Sequence, residues 1–245
     1  MAAAIKLTVL VVLIFVICKE MTDCKMASDN KTATISSWNM RCMWGCAKPY
    51  MQELMTSSHI IAISEHGLYQ CELPKLYDIH PDFNAMGKSS KHLRDENHGK
   101  RKGHGGCALL WRKSISNMVN PRPDLGSDRM CVLELYPKDR PVCFIMSVYM
   151  PHQGCQISDF KEELAILENV LEACKSDGDV CIIGDMNIHL GSEYGHRGWG
   201  STSSNGKMFM RLMAQYNMQC VDMVKGSGPA YTYMSGGDRH ILTTA

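Results

Sequence analysis

The chain has 245 residues, 45% of them hydrophobic and 21% charged, with a formal net charge of +1. This excludes a disordered chain and allows one well-buried domain of the larger kind. It also excludes capture of nucleic acid by bulk charge, so any grip on a polyanion has to be local. Twelve cysteines suggest a disulfide framework, yet Cys107, Cys131, Cys143 and Cys181 lie inside apolar runs, where free cysteine behaves as a small buried hydrophobe. No Cys-x-x-Cys pair or regular Cys/His spacing points to zinc. Mostly free thiols are the expectation, and disulfides in a secreted protein are the alternative.

Taken in order, the chain opens with an unbroken apolar run over residues 9–18, with Lys6 before it and Lys19-Glu20 after it. Its length suits a signal-peptide core or short anchor rather than a membrane span, which needs ~20 residues. No small-x-small cleavage site follows it. Residues 1–30 are therefore assigned to this segment and a polar linker, and 31–245 to the domain.

Residues 32–38 are rich in β-branched side chains and predict a strand ending at Asn39. Residues 46–57 carry Tyr50, Met51, Leu54 and Met55 at helical spacing. A second apolar strand over 59–64 delivers Glu65 and His66, and strand–helix–strand units usually set neighbouring strands side by side. Residues 87–106 form a polar loop with Lys88, Lys91, Arg94, Lys100, Arg101 and Lys102. It is either a solvated loop or one that grips phosphates, the contact that dominates non-specific DNA affinity. Strands follow over 105–111, 129–136 and 142–149, the last two joined by a turn at 137–140. Ser158 is placed to cap the next helix, which runs to Asp177-Gly178.

The stretch Val180-Cys181-Ile182-Ile183-Gly184-Asp185-Met186-Asn187 reads as a strand buried on both faces. Gly184 tolerates a close backbone approach. Asp185 and Asn187, two apart in extended chain, point to one side; a carboxylate beside a carboxamide can orient a water against a phosphate. The same residues also suit a turn that needs left-handed conformers. Beyond lie a Gly/Ser-rich loop over 191–206 with Arg197 and Trp199, a helix over 206–217, an extended stretch over 218–223 and a hairpin holding Thr232, Asp238 and His240.

In sequence, Ser37-Trp38-Asn39-Met40-Arg41, Ile63-Ser64-Glu65-His66, His104-Gly105-Gly106, Val148-Tyr149-Met150-Pro151, Ile183-Gly184-Asp185-Met186-Asn187 and Tyr231-Thr232-Tyr233 resemble the endonuclease/exonuclease/phosphatase superfamily. The pattern looks most like the endonuclease domain of non-LTR retrotransposons, itself similar to apurinic-site nucleases. The resemblance implies an α/β fold with two packed mixed β-sheets flanked by helices, a four-layer sandwich of the deoxyribonuclease-like type. It implies hydrolysis of a DNA phosphodiester with Mg²⁺, or Mn²⁺ in its place, and no organic cofactor. By matching position, Glu65 and Asn39 would hold the metal. Tyr149 would steady the phosphate, Asp185 would activate water, Asn187 would bond the phosphate and Thr232 would support the site. Lys100, Arg101 and Lys102 are the candidate DNA contacts.

Two departures mark the C-terminal end. Arg239 stands where the family carries an aspartate, with Asp238 one place early and His240 nearby, and a one-residue slip turns a strand side chain to the other face. No Ser-Asp-His follows. The resemblance then implies a domain without its final strand or strands and an impaired activity, since losing a general acid/base costs roughly 10²–10⁴-fold. Two alternatives are carried: a phosphatase or phosphodiesterase acting on lipid or small phosphoesters, and an inactive nucleic-acid-binding remnant. A monomer is expected, with membrane contact only through the N-terminal run. That run argues for the secretory route or a membrane, whereas the retrotransposon resemblance argues for the nucleus.

Overall fold

A computed structural model describes residues 13–17, 33–41, 43, 47–89, 105–138, 140–195 and 197–225. Its core is built from two strand–helix–strand units facing each other. In the first, β2 (Ile35–Asn39) and β3 (Ile60–Ser64) lie parallel and are joined by helix α1 (Ala47–Ser57). In the second, β8 (Val142–Tyr149) and β9 (Gly178–Asp185) lie parallel and are joined by helix α3 (Ile157–Cys174). Antiparallel strands extend each pair. The first sheet has the order β2-β3-β5-β4, with β4 (Phe83–Lys88), which follows the one-turn helix α2 (Pro74–Tyr77), and β5 (Cys107–Arg112). The second reads β10-β1-β9-β8-β7-β6, with β1 (Leu13–Ile17), β6 (Val119–Pro121), β7 (Met130–Leu135) and β10 (Gln219–Cys220). Both sheets are therefore mixed, as expected.

The continuous apolar runs arise because each central strand is covered on both faces. Along β3, Ile60 and Ala62 point into the layer between the sheets, while Ile61 and Ile63 point toward Met51 and Met55 of α1. In the other sheet, Leu133, Ile145 and Ile183 face inward. On its outer side, Val132, Met146 and Ile182 pack with Phe160 and Leu167 of α3 and with Phe209 of α4 (Ser204–Gln215). The layers run helix, sheet, sheet, helix.

Several local expectations are corrected. Helix α3 has Gln156 at its N-cap with no side-chain cap bond, and Ser158 instead bonds Asp159 Oδ1 at 3.4 Å. Phe83–Lys88 is a strand, so Lys88 closes β4 rather than lying in the basic loop. The stretch read as extended over 218–223 is β10 followed by helix α5 (Val221–Lys225). Residues Leu13–Ile17 pair antiparallel with β9, Ile14 opposite Ile183, and with β10, Phe15 opposite Cys220. The sequence reading set this segment outside the domain; its backbone instead closes the ladder along β9, which would otherwise be a bare edge. No helix among the described residues is long and apolar enough to cross a membrane. The eight described cysteines are free thiols, Cys107 and Cys131 lying 3.3 Å apart between the sheets.

Candidate functional site

The C-terminal ends of both parallel pairs meet at one edge of the sandwich. Asn39 closes β2, buried to 6% exposure. Its Nδ2 donates to Glu65 Oε1 at 2.7 Å and to Asp185 Oδ2 at 2.9 Å. Its Oδ1 in turn accepts from the Arg41 amide at 3.1 Å. One amide thus ties together two carboxylates 120 residues apart in the chain (185 − 65).

Glu65 sits one residue past β3 with φ +56°, a left-handed conformation that side chains resist. Its amide bonds Gly106 O at 2.9 Å, and the Gly67 amide bonds Gly105 O at 3.0 Å. His66 fills the space beneath, fully buried. Its Nδ1 accepts from the Leu68 amide at 3.0 Å, so the proton resides on Nε2, which donates to Lys88 O at 3.1 Å. Burial lowers its pKa and keeps the ring neutral. A Cβ at Gly106 would meet that ring at 2.4 Å, which explains the glycine there.

Asp185 closes β9 opposite Tyr149 of β8. The preceding Gly184 has φ +148°, and a Cβ there would lie 2.0 Å from Val148 O, so the close approach read from the sequence is real. Asn187 joins Asp185 through a turn, the alternative carried from the sequence, and not along an extended strand. The strand has ended, Asn187 has φ +49°, and its amide donates to Asp185 Oδ1 at 3.1 Å; this is a turn closed by the aspartate side chain. Asn187 Nδ2 donates to Met150 O at 2.8 Å. Burial raises the Asp185 pKa, and the nearby Glu65 charge adds to that, against the pull of the Asn39 bond.

Tyr149 is held between these groups. Burial and the charges of Glu65 and Asp185 raise its pKa, so its hydroxyl stays protonated and reaches the Glu65 carboxylate. The Arg129 guanidinium stacks over its ring at 5.2 Å. A cleft of ≈ 470 Å³, lined by Gln70, Lys88, Ser89, Ser127 and Asp128 among others, opens where β4 ends and β7 begins.

The structure thus brings together Asn39, Glu65, Tyr149, Asp185 and Asn187. Thr232, Asp238, His240 and the basic trio Lys100, Arg101 and Lys102 lie outside the described residues. The sequence reading gave no role to His66, delivered beside Glu65, or to Arg129 at the start of a strand. No local pattern marks either, because their roles come from contacts across strands. Among the described residues no group of three or more His, Cys, Asp or Glu forms a metal cage. Glu65 and Asp185 do supply carboxylate oxygens, the hard donors that Mg²⁺ takes together with waters and phosphate oxygens.

The fold is similar to that of nucleases of the endonuclease/exonuclease/phosphatase superfamily. Residues 143–242 match the model of the family described as endonuclease-reverse transcriptase. No curated protein matches the sequence. Among solved structures, an AP endonuclease from Leishmania major superposes with a TM-score of 0.63 at 11% identity, covering 81% of this chain and 72% of that one. The endonuclease domain of the telomere-specific non-LTR retrotransposon TRAS1 superposes with a TM-score of 0.53 at 12% identity, covering 82% and 77%. The 3′ phosphatase NExo from Neisseria, bound to a product DNA hairpin, gives 0.53 at 16% identity, covering 75% and 71%. At such identities these likenesses speak for the fold.

Proposed function

We propose that the chain is a divalent-metal-dependent phosphodiesterase that cuts DNA. The observation that carries this reading is the Asn39 amide bridging Glu65 and Asp185 at 2.7 and 2.9 Å. Two carboxylates held this close repel each other, and a fold keeps such an arrangement where a cation or a proton transfer uses it. Glu65, with Asn39 beside it, would hold Mg²⁺ or Mn²⁺; the bound ion supplies charge neutralisation at the phosphate and on the leaving oxygen. Asp185 accepts the proton of the attacking water, with its carboxylate aimed by the Asn39 and Asn187 bonds. Tyr149 keeps its hydroxyl proton, which bonds the Glu65 carboxylate in the free protein and turns to a phosphate oxygen once Glu65 holds the ion. Asn187 fixes the turn that presents Asp185.

DNA is favoured over small phosphoesters because the neighbours described above are DNA-processing enzymes and the matched family model is an endonuclease. The Neisseria neighbour, a 3′ phosphatase bound to DNA, adds a second reading in which the same pocket removes phosphate from a DNA end. Supercoiled plasmid and a 3′-phosphorylated duplex, each incubated with Mg²⁺, separate the two. Nicking of the plasmid that EDTA stops, and that Glu65→Ala abolishes with the loss of the ion's carboxylate, is the expected result. Nicking untouched by Glu65→Ala would overturn it.

A further inference from the structure

Beyond Asn187 the chain forms a loop that presents Trp199 to solvent at 43% exposure. Singly exposed apolar residues are ordinary; Tyr77, Tyr136, Ile157 and Val224 are further examples. Trp199 differs in how it is held. Its ring meets the His189 ring edge-on at 5.0 Å and 75°, and His189 Nδ1 donates to Ser201 O at 2.8 Å. The loop ends are pinned on both sides of it: the Ser192 amide bonds Gly200 O at 3.0 Å, the Ser203 amide bonds His189 O at 2.9 Å, and Thr202 Oγ1 bonds Leu190 O at 2.9 Å. Gly191 and Gly200 take φ +76° and +60° to permit the turns.

The brace is anchored beside the carboxylate pocket. His189 follows Asn187 by two residues, a span of at most roughly 7 Å, and Asn187 bonds Asp185 directly. A large half-exposed aromatic side chain is therefore held on a loop whose base starts two residues beyond the turn that presents Asp185. Leaving an indole half in solvent forgoes burial, and fixing its loop costs conformational entropy. Both costs are recovered when a flat partner covers it.

Resting on the nuclease reading above, we propose that Trp199 is a stacking platform for an unpaired nucleobase of the DNA strand next to the scissile phosphate. Every base has a π-face, so stacking on an aromatic side chain is tolerant of sequence. Inside an intact duplex both faces of each base are covered by its neighbours. The platform therefore selects DNA in which a base is free to leave the stack, at a gap, a frayed end or a position lacking its partner.

The test compares binding of three DNAs by fluorescence anisotropy in EDTA, which also stops hydrolysis: an intact duplex, the same duplex with a two-base gap, and the single strand. Trp199→Ala is expected to weaken binding of the gapped and single-stranded DNAs ~5- to 150-fold and to leave the intact duplex within about twofold. Trp199→Phe, which retains a stacking face, is expected to keep most of the affinity. Tyr136→Ala, at the opposite end of β7, is expected to change none of the three. Hydrolysis of bis(p-nitrophenyl) phosphate with Mn²⁺ should be equal in parent and Trp199→Ala. Equal affinity of parent and Trp199→Ala for gapped DNA would overturn the platform. So would equal weakening of all three DNAs, a Trp199→Phe loss as large as that of alanine, or a matching loss of ester hydrolysis. Absence of any hydrolysis by the parent, with the binding pattern intact, would overturn the nuclease reading and leave the platform standing.

Discussion

The two strand–helix–strand units do the same job by different means. Each sets two parallel strands side by side and carries a carboxylate to one edge. The β2–α1–β3 unit does so through strain, with Glu65 forced to φ +56° and held there by Gly105, Gly106 and the neutral His66 beneath. The β8–α3–β9 unit does so through space, with Gly184 letting β9 run against Val148 and a side-chain-closed turn presenting Asp185. Their helices differ likewise. α1 is short, and Arg112 from β5 reaches its C-terminal end, donating to Thr56 O at 3.0 Å and to Ser58 O at 2.8 Å, a favourable place for a cation. α3 runs 18 residues and buries Phe160, Leu167 and Leu171 on its own account. The first unit thus depends on clamps borrowed from the rest of its sheet, whereas the second is largely self-supporting.

That contrast can be broken or sharpened by substitution. The largest effect is expected at Gly184. Alanine there meets Val148 O at 2.0 Å and should cost about 3 kcal/mol or more in urea unfolding, with Asp185 displaced in the same stroke. A fully stable Gly184→Ala would show that the second unit does not rely on close approach.

Next comes Phe15→Pro. Phe15 lies between β9 and β10, so proline removes a ladder donor with a strand on either side. A loss of roughly 2–3 kcal/mol is expected. An unchanged urea midpoint would remove β1 from the support of the second unit.

A double-mutant cycle between His66 and Gly106 addresses the first unit. Gly106→Ala alone should destabilise by about 1–3 kcal/mol. In a His66→Ala background only the cost of φ +81° remains, so a coupling of at least about 1 kcal/mol is expected. Additive costs would mean that the ring does not clamp the loop.

The smallest effect is expected at Glu163 on α3. Burial raises its pKa in the folded protein, partly offset by the Ser127 hydroxyl that bonds it. A raised folded-state pKa gives stability that is present below the unfolded value and is lost as pH rises through the folded one. Glu163→Gln should therefore gain on the parent as pH rises through the folded-state value, by less than any of the losses above, seen as a flatter Tm profile against pH. A Glu163→Gln advantage that grew toward acid would reverse the sign and refute the burial argument.

Much of this architecture was readable in one dimension. Apolar runs such as Ile60-Ile61-Ala62-Ile63 identify strands covered on both faces, because period-2 geometry puts every residue of such a strand against something apolar. The ordered motifs around Asn39, Glu65, Tyr149 and Asp185 marked the site because each closes a strand, and strand ends are where an α/β sandwich gathers its polar groups. Other features were decided only in three dimensions. An apolar run such as Leu13–Ile17 suits a strand and a signal core equally, since both require low polarity; its pairing partners β9 and β10 lie more than 150 residues away. His66, Arg129 and the hydrogen bonds that make one pocket of two carboxylates likewise depend on side chains meeting across sheets. Local preference determined which segments extend and which coil, and tertiary packing determined which of their ends share a site.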